Sequence, residues 1–158
     1  MATHGARIVW KSDGEFISGR YSRRHELQFD GGAVVPGSSS PHVVRPPLSD
    51  PAAVDPEEAL VASVSSCHML WFLDLARRAG FDLLSYVDEA SGVMGEIAPG
   101  RMALTRITLR PDIAFAGREP SAEELDELHH AAHERCFIAN SLKTEVVVEA
   151  PVRGVDAA

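Results

Sequence analysis

One run of residues limits what this chain can fold into: Val54-Asp55-Pro56-Glu57-Glu58-Ala59-Leu60-Val61-Ala62-Ser63-Val64-Ser65-Ser66-Cys67-His68-Met69-Leu70-Trp71-Phe72-Leu73. Asp55 can accept a hydrogen bond from the first turn of a helix. Pro56 suits the first helical position, where no N–H is needed, and Glu58 can reach back to complete a capping box. Small and apolar residues then follow almost without a break to Ala79, and Gly80 supplies a stop. The pattern predicts a helix over residues 56–79 that is apolar nearly all round, which places it at the centre of a domain. One of only two cysteines, Cys67, lies about three turns into it.

The 158 residues suit one domain spanning 1–158. A net charge of −8 and the absence of a basic stripe argue against nucleic acid as the main partner. Arg20, Arg23 and Arg24 cluster, but three charges followed by acidic sequence make a poor phosphate track. Residues 1–10 lack the plan of an export signal. The longest apolar run, near residues 69–73, is too short to span a bilayer. Two cysteines without an export signal make a structural disulfide framework an unfavoured reading and point to a cytoplasmic protein.

Residues 6–10 read as a short strand, and residues 16–29 as a half-buried strand or a hairpin pair. A turn at Asp30-Gly31-Gly32 leads to a return strand at 33–35. Residues 36–56 hold six of the ten prolines and can be neither helix nor interior strand. They read as an ordered arm that delivers side chains to the start of the long helix. Most of residues 81–97 reads as strand, ending at Ala98-Pro99-Gly100. The next strand places Thr105, Ile107, Leu109, Ile113 and Phe115 on one face, and Arg106, Thr108, Arg110 and Asp112 on the other. Pro111 on the apolar face puts that strand at an edge or a bulge. Ser121 and Glu124 cap a second helix, in which Leu125, Leu128, Ala132 and Cys136 form one apolar stripe. Residues 143–150 close the chain as a Val-rich strand. The order predicts an α+β domain with helices against an antiparallel sheet.

Both cysteines would face one core if the two helices pack together, and two thiols can pair when their Cα atoms come within about 7 Å. Buried cysteine is also a common inert core residue. Chemistry at Cys67 requires a thiolate, which an apolar helix opposes, so a cation must approach it. Arg20, Arg23, Arg24 and Arg45 are the candidates, with Glu57 as an anchor. On one straight helix Glu57 and Cys67 lie about 15 Å apart, too far to touch. An extended arginine, a break in the helix or a second subunit would have to bridge them.

At these residues the chain resembles the OsmC/Ohr family of thiol peroxidases, named for osmotic induction and organic hydroperoxide resistance. Pro56-Glu57-Glu58 followed by Cys67 has the spacing of the family's signature. Cys136, in His133-Glu134-Arg135-Cys136-Phe137-Ile138-Ala139-Asn140-Ser141, occupies the place of its second cysteine. The resemblance implies an OsmC-like fold, with antiparallel sheets wrapped around two central helices, and an intertwined homodimer. It implies Cys67 as the peroxidatic thiol, Cys136 as the resolving thiol and Glu57 as the carboxylate that orients the activating arginine. Arg20 and Arg45 compete for that last role, and Arg20, within Ser18-Gly19-Arg20-Tyr21, is favoured. The implied partners are an organic hydroperoxide and a thiol reductant, either a dithiol or a lipoylated protein. No cofactor, metal, nucleic acid or membrane is implied. Ser66-Cys67-His68-Met69 departs from the family's usual Ala-Cys-Phe, and Phe137 stands where a proline commonly follows the second cysteine. Leu70 and Trp71 share a face with Cys67 and offer a wall for an apolar substrate, or plain core packing.

Two rival readings use the same residues. His129, His133 and Cys136 follow a helical face and, with Cys67 or His68 as a fourth ligand, match the donor types of a metal site. Against it, His129-His130 beside Glu127 and Glu134 reads as a solvated helix face. The second rival is a protein of this fold that binds a small apolar molecule without turnover. His68, next to a cysteine on a helix, points away from it and is not assigned as a base.

Overall fold

The computed structural model describes residues 1–149. Its elements run β1(Ala6–Val9), β2(His25–Phe29), β3(Val34–Gly37), α1(Pro56–Arg78), β4(Asp82–Asp88), β5(Ser91–Ala98), β6(Arg101–Leu109), β7(Pro111–Ala116), α2(Ala122–Arg135), α3(Phe137–Asn140) and β8(Glu145–Val148). This is the mixed α+β architecture expected. The chain divides into two compact units, Met1–Ala59 and Leu60–Ala158, with the boundary in the first turn of α1.

In the first unit, β1, β2 and β3 form an antiparallel meander. The β2–β3 turn closes through Phe29 N–H to Ala33 O at 2.9 Å, with Gly32 at φ 88°, a conformation that other residues rarely adopt. Strand structure in residues 16–29 is confined to the second half. Residues 15–20 instead make a tight loop closed by the Glu15–Arg20 bridge, because Ser18-Gly19 favours a turn and Gly19 takes φ 79°.

The proline-rich segment is ordered, as expected of an arm leading to α1. Val54 N–H donates to Pro36 O at 3.0 Å and Ser38 N–H to Val54 O at 3.1 Å, so the segment returns to the strand it left. Ser38 is fully buried, and its hydroxyl accepts from Asp50 N–H at 2.9 Å. The segment ends at Asp55, which caps α1: Glu58 N–H donates to Asp55 Oδ1 at 2.8 Å and Asp55 N–H to Glu58 Oε2 at 3.0 Å. At the far end Gly80 at φ 84° lets Phe81 N–H reach Ala76 O at 3.0 Å.

In the second unit, β4 pairs with β7, and β5, β6 and β8 form a three-stranded sheet. All pairings are antiparallel except β6–β8, which is parallel. The single strand expected from 105 to 115 is two strands in two different sheets. Pro111 has no N–H to extend the β6 ladder, so it opens β7 instead. At the corner Arg110 N–H donates to Asp88 Oδ1 at 2.6 Å, and its guanidinium bonds Glu149 and Ser91. Thr108, expected on the polar face, is buried in the centre strand of its sheet.

The core lies between α1, α2 and these strands. One cluster joins Phe72 and Ala76 of α1 to Phe81, Ile113 of β7 and Leu128 and Ala132 of α2; another joins Val64 to Ile107 and Leu109 of β6. Within α1 the fully buried residues are Val64, His68, Phe72 and Ala76, one stripe at four-residue spacing. Leu70 is 61% exposed, and only 22% of the most apolar stretch of α1 is buried within the chain. The helix expected to be covered nearly all round is thus covered along one edge. By length and composition it is also apolar enough to cross a bilayer, which the short run at residues 69–73 understates. The closing strand covers Glu145–Val148, and residue 150 of the expected strand lies outside the described residues.

Candidate active site

The second helix starts as its sequence requires. Glu124 N–H donates to Ser121 Oγ at 3.2 Å and Ser121 N–H to Glu124 Oε2 at 2.8 Å. Leu128, Ala132 and Cys136 are buried on one stripe, with Leu125 half-buried beside them. Cys136 ends α2 in an extended conformation and at once caps α3, its sulfur accepting from Ala139 N–H at 3.4 Å. The same thiol points at Val64 O, 3.9 Å away on α1. Val64 lies one turn before Cys67, and side chains three apart on a helix are neighbours.

The two cysteines are free thiols, Cys67 half-buried and Cys136 buried. They sit side by side. Burial pushes the Cys136 thiol above its ordinary pKa, the Ala139 N–H pulls it back, and a hydrogen bond with Cys67 together with that thiol's charge raises it further. Cys136 is therefore held protonated next to Cys67. Beyond the pair, the Trp71 and Phe137 rings meet edge to face at 5.5 Å, with Phe137 and Leu70 exposed. Trp71 also packs against the core cluster around Phe72, so it serves as packing.

The remaining candidates, Glu57 and the four arginines, lie in the first unit. Glu57 stands half-buried in the first turn of α1, while its neighbour Glu58 supplies the cap. Arg20 is exposed and paired with Glu15 through both Nε and Nη2. The Arg23 guanidinium stacks on Tyr21 at 3.8 Å, and Arg24 bonds Asp50 at 2.9 Å. Arg45 is exposed and holds the arm through its carbonyl, which accepts from Leu48 N–H at 3.2 Å.

The histidines are arranged differently from either sequence reading. His129 does not lie on a solvated face. It turns inward, with Nδ1 3.1 Å from Nε2 of the fully buried His68 and the two rings nearly parallel at 14°. Phe72 packs on His129 with ring centroids 4.5 Å apart. His130 is solvated, facing Glu134. Burial, reinforced by the neighbouring imidazoles, lowers His68 to about 4; burial lowers His129 to about 4, against the opposing pull of Asp126 and Asp88. Both rings are neutral at pH 7, so neither lends positive charge to Cys67. Among the described residues no three His, Cys, Asp or Glu side chains converge to hold a metal ion, so the ligand set His129, His133 and Cys136 is not assembled. Sequence reading missed the imidazole pair because neither partner carries a local mark of burial. The one available signal was that His129 precedes Cys136 by seven residues, which puts it on the inward stripe.

The sequence pattern of the OsmC-like protein family matches residues 49–150. The chain is similar to an OsmC-like protein of unknown function from Vibrio cholerae O1 biovar eltor. The two share 47% identity and a TM-score of 0.92, over 95% of this chain and 99% of that one. Its fold is also similar to that of an organic hydroperoxide resistance protein from Elizabethkingia anophelis, at 18% identity and a TM-score of 0.70, over 96% of this chain and 95% of that one. A third likeness of fold is to an organic hydroperoxide resistance protein from Legionella pneumophila, at 16% identity and a TM-score of 0.68, over 96% of this chain and 100% of that one. No curated protein sequence matches.

Proposed function

This chain belongs to the OsmC-like protein family, and from that membership we propose that it is a cysteine-based thiol peroxidase that reduces organic hydroperoxides. The observation that carries the reading is the adjacency of Cys67 and Cys136, sixty-nine positions apart in sequence yet within hydrogen-bonding reach of each other. The thiolate of Cys67 attacks the distal oxygen of the hydroperoxide. The O–O bond breaks, an alcohol leaves after taking up a proton, and Cys67 becomes a sulfenic acid. The Cys136 thiol then attacks that sulfur, water leaves, and a Cys67–Cys136 disulfide protects the site from further oxidation. A dithiol or lipoylated protein, itself oxidised to a disulfide, returns both thiols to the reduced state. No cofactor enters this cycle.

The proposed thiolate calls for a cation beside it, and the neutral imidazoles do not supply one. Arg20 fills that role in this reading, with Arg45 as its rival and Glu57 orienting the guanidinium. An exposed pair such as Arg20–Glu15 is worth only about 0–1 kcal/mol and leaves the arginine free to be recruited. Organic hydroperoxides fit the apolar side chains beside the thiols, Leu70, Trp71 and Phe137.

The reading includes a homodimer. An apolar helix covered along one edge, with Leu70 exposed, is a surface awaiting a partner, and a second copy is the partner proposed. Sedimentation equilibrium is expected to give twice the chain mass; a monomer at micromolar concentration would remove this part of the reading. The peroxidase itself is tested by mass spectrometry after one equivalent of cumene hydroperoxide. The expected product is an intact chain lighter by two hydrogens, with the bond mapped to Cys67 and Cys136. Unchanged thiols after exposure would refute the assignment and favour a ligand-binding member of the fold.

A further inference from the structure

Two imidazoles, His68 buried and His129 half-buried, lie between the helices that carry the thiols, and the peroxidase cycle uses neither. His68 follows Cys67 on α1, and His129 precedes Cys136 by seven residues, two turns along the same stripe of α2. The helices run past each other in opposite senses. Cys136 meets Val64, and four residues further along α1 His68 meets His129, seven residues back along α2. The packing of Phe72 and Ala76 with Leu128 and Ala132 beside this pair is apolar. Such contacts are non-directional and tolerate sliding. A slip of one residue moves a helix by about 1.5 Å, against a disulfide bond of about 2 Å. A hydrogen bond of 3.1 Å between the two rings is a directional tie between the helices, one turn of α1 beyond the 3.9 Å contact of the Cys136 thiol with Val64 O.

Stability alone gives no reason to keep the pair. His68 Nδ1 is buried without a hydrogen-bond partner among the described residues. A buried polar atom left unpaired is destabilising compared with an apolar side chain of similar shape. We infer that His68 and His129 are positioning residues whose hydrogen bond holds α1 in register against α2 and thereby sets the reach of Cys136 to Cys67. The inference rests on the disulfide proposed above.

The test measures how readily that disulfide forms, independently of peroxide. Folded protein is equilibrated at pH 7 with mixtures of reduced and oxidised glutathione. One oxidised glutathione converts the two thiols to the disulfide and leaves as two reduced glutathiones. The products are alkylated and weighed. His129→Leu is expected to lower the effective concentration of Cys136 at Cys67 by about tenfold or more. His129→Asn, whose amide occupies the Nδ1 position, is expected to stay close to the wild type. The alkylation rate of Cys67 by iodoacetamide should be the same in all three. His129→Gln carries the same amide one methylene further out and is expected to fall with the leucine variant, so the asparagine–glutamine contrast stands if the leucine variant does not fold. Equal effective concentrations in folded wild type and His129→Leu, or in the two amide variants, would overturn the inference and leave the peroxidase reading intact. A wild type that forms no disulfide would overturn both.

Discussion

Replacing Cys67 by serine is expected to lower the turnover of an organic hydroperoxide on the order of a thousandfold or more, the scale seen when a covalent nucleophile is removed. A hydroxyl stays protonated at pH 7 and is a poor nucleophile toward the O–O bond, so no sulfenic acid forms. Cys136→Ser is expected to behave differently. Its Cys67 is still expected to react with the first peroxide, because the proposed cycle gives the two thiols separate roles. The sulfenic acid then has no neighbouring thiol to condense with, and it accumulates or is oxidised further. Stopped-flow peroxide consumption with a dithiol reductant separates the two: a burst followed by slow turnover for Cys136→Ser, and no burst for Cys67→Ser. Retention of the burst in Cys67→Ser would place the chemistry elsewhere. The raised pKa of Cys136 fits this division, since a resolving thiol held protonated does not compete for peroxide.

Acid is expected to unfold the protein through the imidazole pair. His68 and His129 are lowered from 6.5 to about 4 in the folded chain. The unfolded chain therefore binds protons at these rings before the folded one does. Stability is complete above about pH 6.5 and falls as the pH drops toward 4, where the folded rings also titrate. A shift of that size corresponds to about 3 kcal/mol for each imidazole kept neutral, and the sum is an upper bound because the rings interact. Against a total of about 5–15 kcal/mol this is a large share. Urea denaturation at pH 7 and at pH 4 checks it, with His68→Leu/His129→Leu as the control that subtracts the carboxylates. The double variant should lose markedly less stability between the two pH values; an equal loss would show that the pair does not govern acid unfolding.

Much of the architecture is legible in short stretches of sequence. The cap at Asp55, the stop at Gly80, the box at Ser121 and Glu124 and the turn at Gly32 all sit where residue type demands. Two helices and the positions of both cysteines on them follow from these marks. The strands were less readable. Residues 105–115 alternate without a break, yet Pro111 moves the second half into another sheet, and β8 joins β6 in parallel from thirty-six positions away at its nearest ends. Periodicity reports which face of a strand is apolar. It does not report which strand lies alongside.

By itself, then, the amino-acid order determined the helix ends, the turns and the apolar stripes, because caps and glycine conformations act within about four residues of one another. It also placed Cys136 on an inward stripe. Only the tertiary structure decided which atoms meet across those stripes. The Cys67–Cys136 neighbourhood and the His68–His129 bond join residues sixty-nine and sixty-one positions apart. Burial of a histidine has no local signature, since the same side chain serves a wet face or a dry one. Its place is settled by whichever partner the packed helices bring to it.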